Sequence, residues 1–160
     1  MKDFLTQHQN LLDFISSTLT SRNQTLSLAE SCTGGFLSSC FTSKSGASQY
    51  FKGSMVVYHD DLKTKFLNVK KDSIEEFGIA SDFVVRLMAK QIRIQYNSDF
   101  GFATTGYVDY SDDVVDLYAW ISVASEQNIY SECVFLNKSR LENIQIVSYS
   151  LLSLFRKEFL

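Results

Sequence analysis

Helix-like and strand-like segments alternate along this chain, and that order limits the folds open to it more than any other feature. Apolar residues recur at helical spacing in the first kind of segment, whereas the second kind consists of short apolar runs. The alternation ends in a cluster of strands before the last helix, which predicts an α/β protein: a three-layer α/β/α sandwich with a mixed, mostly parallel sheet. The predicted helices cover residues 4–21, 36–41, 60–67, 82–96 and 140–157, and the predicted strands 25–29, 49–58, 100–105, 114–124 and 129–136.

The chain contains no linker, repeat or low-complexity tract, so residues 1–160 are expected to form a single domain. A chain of this length buries enough surface to hold a hydrophobic core without disulfides or metals. Proline is absent, and the turns must therefore be formed by glycine, asparagine, aspartate and serine.

Several residues mark where helices begin. Ser73 with Glu76 and Ser139 with Glu142 have the spacing of capping boxes, in which each side chain accepts a hydrogen bond from the other residue's backbone. Ser81 stands directly before the helix predicted for residues 82–96, where its hydroxyl can cap the first turn.

Composition excludes several classes of partner. The net charge is −3, and the densest basic spots are the pairs Lys70-Lys71 and Arg156-Lys157, so no basic face for nucleic acid is expected. No apolar run reaches the length of a membrane span, and the N-terminus lacks the apolar core of a signal peptide. The three cysteines show no metal-binding spacing. These features predict a cytoplasmic protein with no membrane or nucleic-acid partner, and they contain no signature of a metal or a cofactor.

The turn at residues 30–35, with the sequence ESCTGG, is the first candidate for a functional site. A strand enters it and a helix leaves it, so backbone N–H groups at the helix start can bind an anion such as phosphate. Ser31 and Thr33 can add hydroxyl contacts. An ordinary serine- or threonine-capped helix start explains the same residues, and the pattern alone leaves both interpretations open.

Ser48, Tyr58 and Lys63 form the second candidate, because a hydroxyl, a phenol and an amine follow one another around a single strand. A serine nucleophile needs an adjacent base. With only His8 and His59 available, a lysine of lowered pKa is a better candidate than a histidine of a triad. Lys63 can equally be a solvated helix lysine.

Thr105-Gly106 is the third candidate, since ligands of open α/β sheets bind beyond the carboxyl ends of the strands. Thr105 can therefore line the same cleft as Ser31, although a simple turn explains the pair as well. The acidic stretch 109–113 is interpreted as a solvated turn, because no liganding pattern or histidine accompanies it.

Taken together, these residues resemble the CinA C-terminal domain family, also known as the nicotinamide mononucleotide deamidases. The string AESCTGG at residues 29–35 is the most specific match, and the similarity covers roughly residues 5–155. The other matching segments are Gly46-Ala47-Ser48, Tyr50-Phe51, Gly53, Val56-Val57-Tyr58 with Lys63, Gly78–Ser81 with Met88-Ala89, Ala103–Gly106, and Ala119-Trp120-Ile121.

The resemblance implies a metal-independent amidohydrolase that converts nicotinamide mononucleotide and water to nicotinate mononucleotide and ammonia. It implies Ser48 as the nucleophile, with Tyr58 and Lys63 transferring protons. It also implies a homodimer or a larger homo-oligomer. The substrate-binding residues that it implies are Ser31, Thr33, Gly34, Gly35, Thr105, Gly106 and Arg140, the last standing in for an arginine that the family carries before its final helix.

One segment departs from the family pattern. After Thr105-Gly106 the family continues with Ile-Ala-Gly-Pro and a glycine-rich loop, whereas this chain has bulky and acidic residues at positions 107–113. Aspartates close to a phosphate site would repel the phosphate. Two functions are therefore considered: an active deamidase for this or a related amide nucleotide, and a weakly active or inactive domain that binds a nucleotide or a protein partner.

Overall fold

A computed structural model describes residues 1–160, in which five strands form one mixed sheet with the order β2-β1-β3-β4-β5. β1 lies between β2 and β3 and is parallel to both, whereas β4 is antiparallel to both β3 and β5. The predicted mixed sheet is confirmed; parallel and antiparallel pairings are equal in number, although every strand except β4 points the same way. The strands are β1 (Leu26–Glu30), β2 (Phe51–Val56), β3 (Phe100–Tyr107), β4 (Tyr118–Ala124) and β5 (Ile129–Phe135).

Seven helices cover the two faces of this sheet, which confirms the three-layer α/β/α architecture. α1, α2, α3 and α7 pack on one face, and α4, α5 and α6 pack on the other. None of them combines the length and the apolar character that crossing a bilayer requires. The helices are α1 (Lys2–Gln7), α2 (Gln9–Ser21), α3 (Phe36–Thr42), α4 (Asp60–Leu67), α5 (Lys71–Phe77), α6 (Asp82–Tyr96) and α7 (Arg140–Phe159), with a short 3₁₀ helix at Ala47–Gln49.

Strand residues alternate between the two hydrophobic cores, as the pleat of a sheet requires. Leu28 and Phe102 enter the core under α2 and α7, whereas Ala29 and Ala103 face α6. The α6 side of these central strands therefore carries small residues. Gly101 is the extreme case, because a Cβ atom there would lie 2.1 Å from the carbonyl oxygen of Ala89 in α6.

Helix boundaries agree with the sequence in part. The capping box of Ser139 and Glu142 forms at the start of α7, and the Ser81 hydroxyl accepts a hydrogen bond from the Val84 N–H. The box predicted for Ser73 is wrong, because α5 begins earlier and Ser73 lies inside it.

Several predicted elements shift by one or two residues at an end, and two differ more from the structure. The helix predicted for residues 4–21 is divided at His8, whose φ of −110° and ψ of 16° are not helical. The strand predicted for residues 114–124 begins only at Tyr118, because Val114 turns back to pair with Ser111 in an isolated bridge.

Candidate active site

A cleft of about 400 Å³ opens at the edge of the sheet where the parallel strands β2, β1 and β3 end. This is where open α/β sheets bind ligands, and the volume lies in the range of small-molecule sites. Four segments supply most of the lining, and Ile79 and Val114 complete it. The segments are Ser31-Cys32 after β1, residues between Tyr58 and Lys63 at the start of α4, Thr105–Ser111 at the end of β3, and Arg140 at the start of α7.

The cleft brings together six of the residues that the sequence suggested. They come from the ends of three strands and the starts of two helices, so the fold explains how distant positions converge. The six residues are Ser31, Tyr58, Lys63, Thr105, Gly106 and Arg140. The other four, Ser48, Thr33, Gly34 and Gly35, lie outside the lining of the cleft.

Ser48 lies at the opposite edge of the sheet from Tyr58 and Lys63. It is exposed within the 3₁₀ helix that precedes β2, whereas Tyr58 follows that strand. The six residues of β2, at about 3.3 Å each, span roughly 20 Å. The Ser48 hydroxyl therefore does not reach the Tyr58 and Lys63 side chains of its own chain.

The start of α3 is occupied by the side chain of Glu30 rather than open to an anion. Glu30 is fully buried, and its carboxylate oxygens accept hydrogen bonds from the backbone N–H groups of Gly35 (3.0 Å), Leu37 (3.2 Å) and Ser38 (2.8 Å). The Ser38 hydroxyl donates to the same carboxylate. The N–H groups expected to bind a phosphate are thus already satisfied within the chain.

Thr33 and the glycine pair consequently have structural roles. The Thr33 hydroxyl is 2.7 Å from Glu30 Oε2 and 2.9 Å from the Thr104 hydroxyl, and the residue is buried. Gly34 and Gly35 have φ values of 57° and 96°, the left-handed region that favours glycine. The motif therefore turns the chain sharply around the Glu30 carboxylate, and the phosphate contact expected of these three residues finds no support in this arrangement.

Lys63 is the buried cation of the cleft. Its side chain is 1% exposed, and its Nζ lies 3.2 Å from Asp60 Oδ1 one helical turn earlier. Burial lowers the pKa of the lysine, because the ammonium form loses its hydration, and the Asp60 carboxylate opposes that shift only in part. The interpretation of Lys63 as a solvated lysine is therefore wrong.

Cys32 adjoins Lys63 in the same cleft. Burial raises the pKa of its thiol to about 12, so the reactive thiolate is scarce near neutral pH. The hydroxyls of the cleft are thus better nucleophile candidates than this thiol.

Tyr58 and Arg140 form a contact between the β2 end and α7. Arg140 Nη2 donates to the Tyr58 hydroxyl oxygen at 2.6 Å, and Arg140 Nη1 lies 3.6 Å from Asp109 Oδ2. Because the arginine donates to the phenol oxygen, the phenolic proton remains free to be donated to a ligand.

Three further residues of the lining have defined contacts. The backbone N–H of Ser31 donates to the Thr104 carbonyl oxygen (3.1 Å), and the residue lines the cleft. The Thr105 hydroxyl donates to the Ile79 carbonyl oxygen at 3.0 Å and keeps lone pairs for a ligand. Gly106 lets β3 and β4 approach, since a Cβ there would lie 2.4 Å from the Ala119 Cα.

Three acidic residues were not identified as site residues from the sequence. Glu30 occupies the start of α3, and Asp60 pairs with Lys63. The spacing of three residues on one helix could have indicated the pair of Asp60 and Lys63. Asp109 pairs with Arg140, and no local pattern links positions so far apart in sequence. No group of three or more His, Cys, Asp and Glu residues has the arrangement of a metal site.

The fold and the cleft define a class: a three-layer α/β protein with a cleft of small-molecule size at the carboxyl edge of its sheet. The sequence profile of the CinA C-terminal domain matches residues 8–159, and the chain belongs to that family.

Relatives and solved structures agree with this assignment. A CinA-like protein of Amoebophilus asiaticus is 35% identical over 149 residues, covering 91% of this chain and 36% of that protein. A CinA-like protein of Cytophaga hutchinsonii is 31% identical over 147 residues, covering 90% and 35%. The chain thus spans about a third of the length of the curated relatives it matches.

Two solved structures share the fold over nearly their whole length. The competence damage-inducible protein A (ComA) of Klebsiella pneumoniae superposes with a TM-score of 0.88 at 18% identity, covering 93% of this chain and 94% of that one. The competence or damage-inducible protein of Enterobacter asburiae superposes with a TM-score of 0.86 at 25% identity, covering 92% and 95%.

Proposed function

We propose that this domain is a metal-independent amide hydrolase that converts nicotinamide mononucleotide, or a related amide nucleotide, to the carboxylate and ammonia. The observation that carries the proposal is the buried Lys63 amine, of lowered pKa, in one cleft with the Tyr58 phenol. The resemblance of the motifs that contain these residues to the nicotinamide mononucleotide deamidases supports the choice of substrate.

An amide is a poor electrophile, so the reaction needs an activated nucleophile, a stabilised oxyanion and a proton for the departing nitrogen. Lys63 in its neutral form accepts the proton of a serine hydroxyl while the serine oxygen attacks the carboxamide carbon. The ammonium then gives that proton to the nitrogen as the C–N bond breaks and ammonia leaves. Water hydrolyses the acyl-serine by the same route and restores the serine.

Tyr58 supplies the stabilising proton in this scheme. Arg140 donates to its oxygen at 2.6 Å, which holds the phenol in place and directs its own O–H toward the cleft. A hydrogen bond from that O–H to the carbonyl oxygen strengthens as negative charge develops there.

Two serines are candidates for the attack, and they make different demands. Ser31 lies in the cleft of its own chain, whereas Ser48 is exposed at the far edge of the sheet. The resemblance assigns the attack to Ser48 and also implies a homo-oligomer. We combine the two: Ser48 of a second copy enters the cleft, and Ser31 contacts the substrate.

Ammonia release from nicotinamide mononucleotide tests the proposal. We expect release by the parent protein and at least about a hundredfold lower kcat in Lys63→Met, since general acid–base catalysis contributes that much or more. Lys65→Met is the matched control, because Lys65 is an exposed lysine of the same helix. Equal rates in the two variants would remove Lys63 from the mechanism.

A domain that binds a nucleotide without hydrolysing it is the second candidate. It is favoured by the tyrosines of the segment 107–113, since both Tyr107 and Tyr110 line the cleft where the family pattern has small residues. Calorimetric binding of nicotinamide mononucleotide without ammonia release would support this function in place of the hydrolase.

A further inference from the structure

The cations of the cleft are already paired with carboxylates of the chain. Only Lys63 and Arg140 carry positive charge among the residues that line it. Asp60 lies 3.2 Å from the Lys63 amine, and Asp109 lies 3.6 Å from the Arg140 guanidinium. A phosphate that enters the cleft therefore meets two carboxylates together with the two cations.

Three helix starts at this edge already carry a side chain of the chain as a cap. α3 is closed by Glu30, as described above. α4 follows β2 and is capped by the His59 side chain, which accepts from the Asp61 N–H at 3.4 Å. α7 follows β5 and is closed by the capping box of Ser139 and Glu142. A phosphate at any of these three helix starts would therefore compete with a side chain of the chain for backbone N–H groups.

Asp109 is held in the orientation that engages Arg140. Its Oδ1 accepts the Tyr110 backbone N–H at 3.1 Å, which leaves Oδ2 directed at the guanidinium. Arg140 uses its other terminal nitrogen for the Tyr58 oxygen at 2.6 Å. Both ends of the arginine fork are therefore directed at groups of the chain.

The same lining favours a cationic ring. Tyr58, Tyr107 and Tyr110 border the cleft, and aromatic faces attract cations. The carboxylates of Asp60 and Asp109 add negative charge beside them. A pyridinium riboside, which is cationic and carries no phosphate, matches this lining, whereas the 5′-phosphate of the mononucleotide adds a dianion to a cleft that already holds two carboxylates.

We propose that Asp109 is a specificity-determining residue, which rests on the proposed function. By neutralising Arg140 it weakens the binding of a phosphate-bearing substrate, so that the cleft prefers the amide of a pyridinium riboside to that of the mononucleotide. The residue discriminates between substrates through Arg140 and takes no part in the bond-breaking steps.

Titration calorimetry with nicotinamide riboside and nicotinamide mononucleotide tests this on the full chain. Binding is measured in the Ser48→Ala background of the parent and of every variant, because an active chain would hydrolyse the ligands during the titration. We expect the parent to bind the riboside more tightly. Asp109→Asn should shift the ratio of the two Kd values toward the mononucleotide by about fivefold, the effect of losing one half-exposed ion-pair partner.

Two variants serve as controls. Asp109→Glu keeps the charge and should keep the parental preference. Asp112→Asn removes the same charge from an exposed position of the same loop that does not line the cleft, and should leave the ratio within about twofold of the parent.

The outcomes separate this proposal from the hydrolase itself. A parent that prefers the mononucleotide, with a ratio unchanged in Asp109→Asn, overturns the role of Asp109 while ammonia release can still support the hydrolase. If Asp112→Asn shifted the ratio of the Kd values as much as Asp109→Asn, the shift would come from the net charge of the loop. That result would also overturn the role of Asp109. Failure of both ligands to bind overturns both proposals.

Discussion

At the scale of single residues, burial of Lys63 is the feature with the greatest chemical consequence. A lysine that is 1% exposed is rare in a soluble protein, and here Asp60 on the same helix keeps it paired. The sequence offered Lys63 as a candidate base but left the solvated lysine equally open, because one lysine on an amphipathic helix looks the same whether it faces solvent or the sheet. Its burial depends on how α4 packs in the fold, which no local pattern specifies.

We predict that Lys63→Met flattens the pH dependence of the free energy of unfolding. Burial holds the pKa of folded Lys63 below the ordinary value of 10.5, so between the two values the unfolded chain binds more protons than the folded chain. Stability should therefore rise with pH through that window in the parent. Urea unfolding followed by circular dichroism at stepped pH measures the slope.

The control for this prediction is Lys65→Met, whose exposed side chain should leave the slope as in the parent. If the slope in Lys63→Met equalled the slopes of the parent and of Lys65→Met, groups other than Lys63 would cause the pH dependence.

At the scale of elements, most helices and strands follow from periodicity and capping residues. α4 and α6 occupy the predicted residues, and the Ser139 box starts α7. The role of the ESCTGG turn could not be predicted from the sequence. A glycine pair before a helix predicts an anion site but does not indicate which anion occupies it. Here the anion is the carboxylate of Glu30, the last residue of β1.

We predict that Glu30→Gln lowers the free energy of unfolding by roughly 3 kcal/mol, since it replaces one acceptor oxygen by an amide that faces backbone donors and leaves them unsatisfied. Urea unfolding at neutral pH measures the change. Glu76→Gln, an exposed glutamate of α5, should change it by less than about 0.5 kcal/mol. If Glu30→Gln lowered the free energy of unfolding as little as Glu76→Gln does, the carboxylate would not stabilise the start of α3.

At the scale of the whole molecule, the separation of Ser48 from the cleft is the main departure from the expected site. The sequence suggested proximity because Ser48, Tyr58 and Lys63 are close to one another along the chain. An extended strand lies between Ser48 and Tyr58, however, so a short separation in sequence becomes a long separation in space. The fold class was predictable, since it depends on the order of the elements. The oligomer that would bring Ser48 of one copy to the cleft of another cannot be predicted from sequence patterns in a single chain.

We predict that mixing Ser48→Ala with Lys63→Met restores ammonia release that each variant lacks alone. In a mixed dimer the intact Ser48 of one copy meets the intact Lys63 of the other. Random exchange between symmetric dimers should therefore recover about a quarter of the parental activity. Full activity of Ser48→Ala by itself, with loss in Ser31→Ala, would instead place the attack within one chain.

The contact between Gly101 and α6 has a consequence for motion. No side chain separates the strand from the Ala89 carbonyl. In shear movements packed elements slide past one another as the side chains between them adjust, and this contact has no such side chains. We expect α6 and the sheet to move as one rigid body. Widening of the cleft to admit a ligand then comes from the connection between β3 and β4, which lines it.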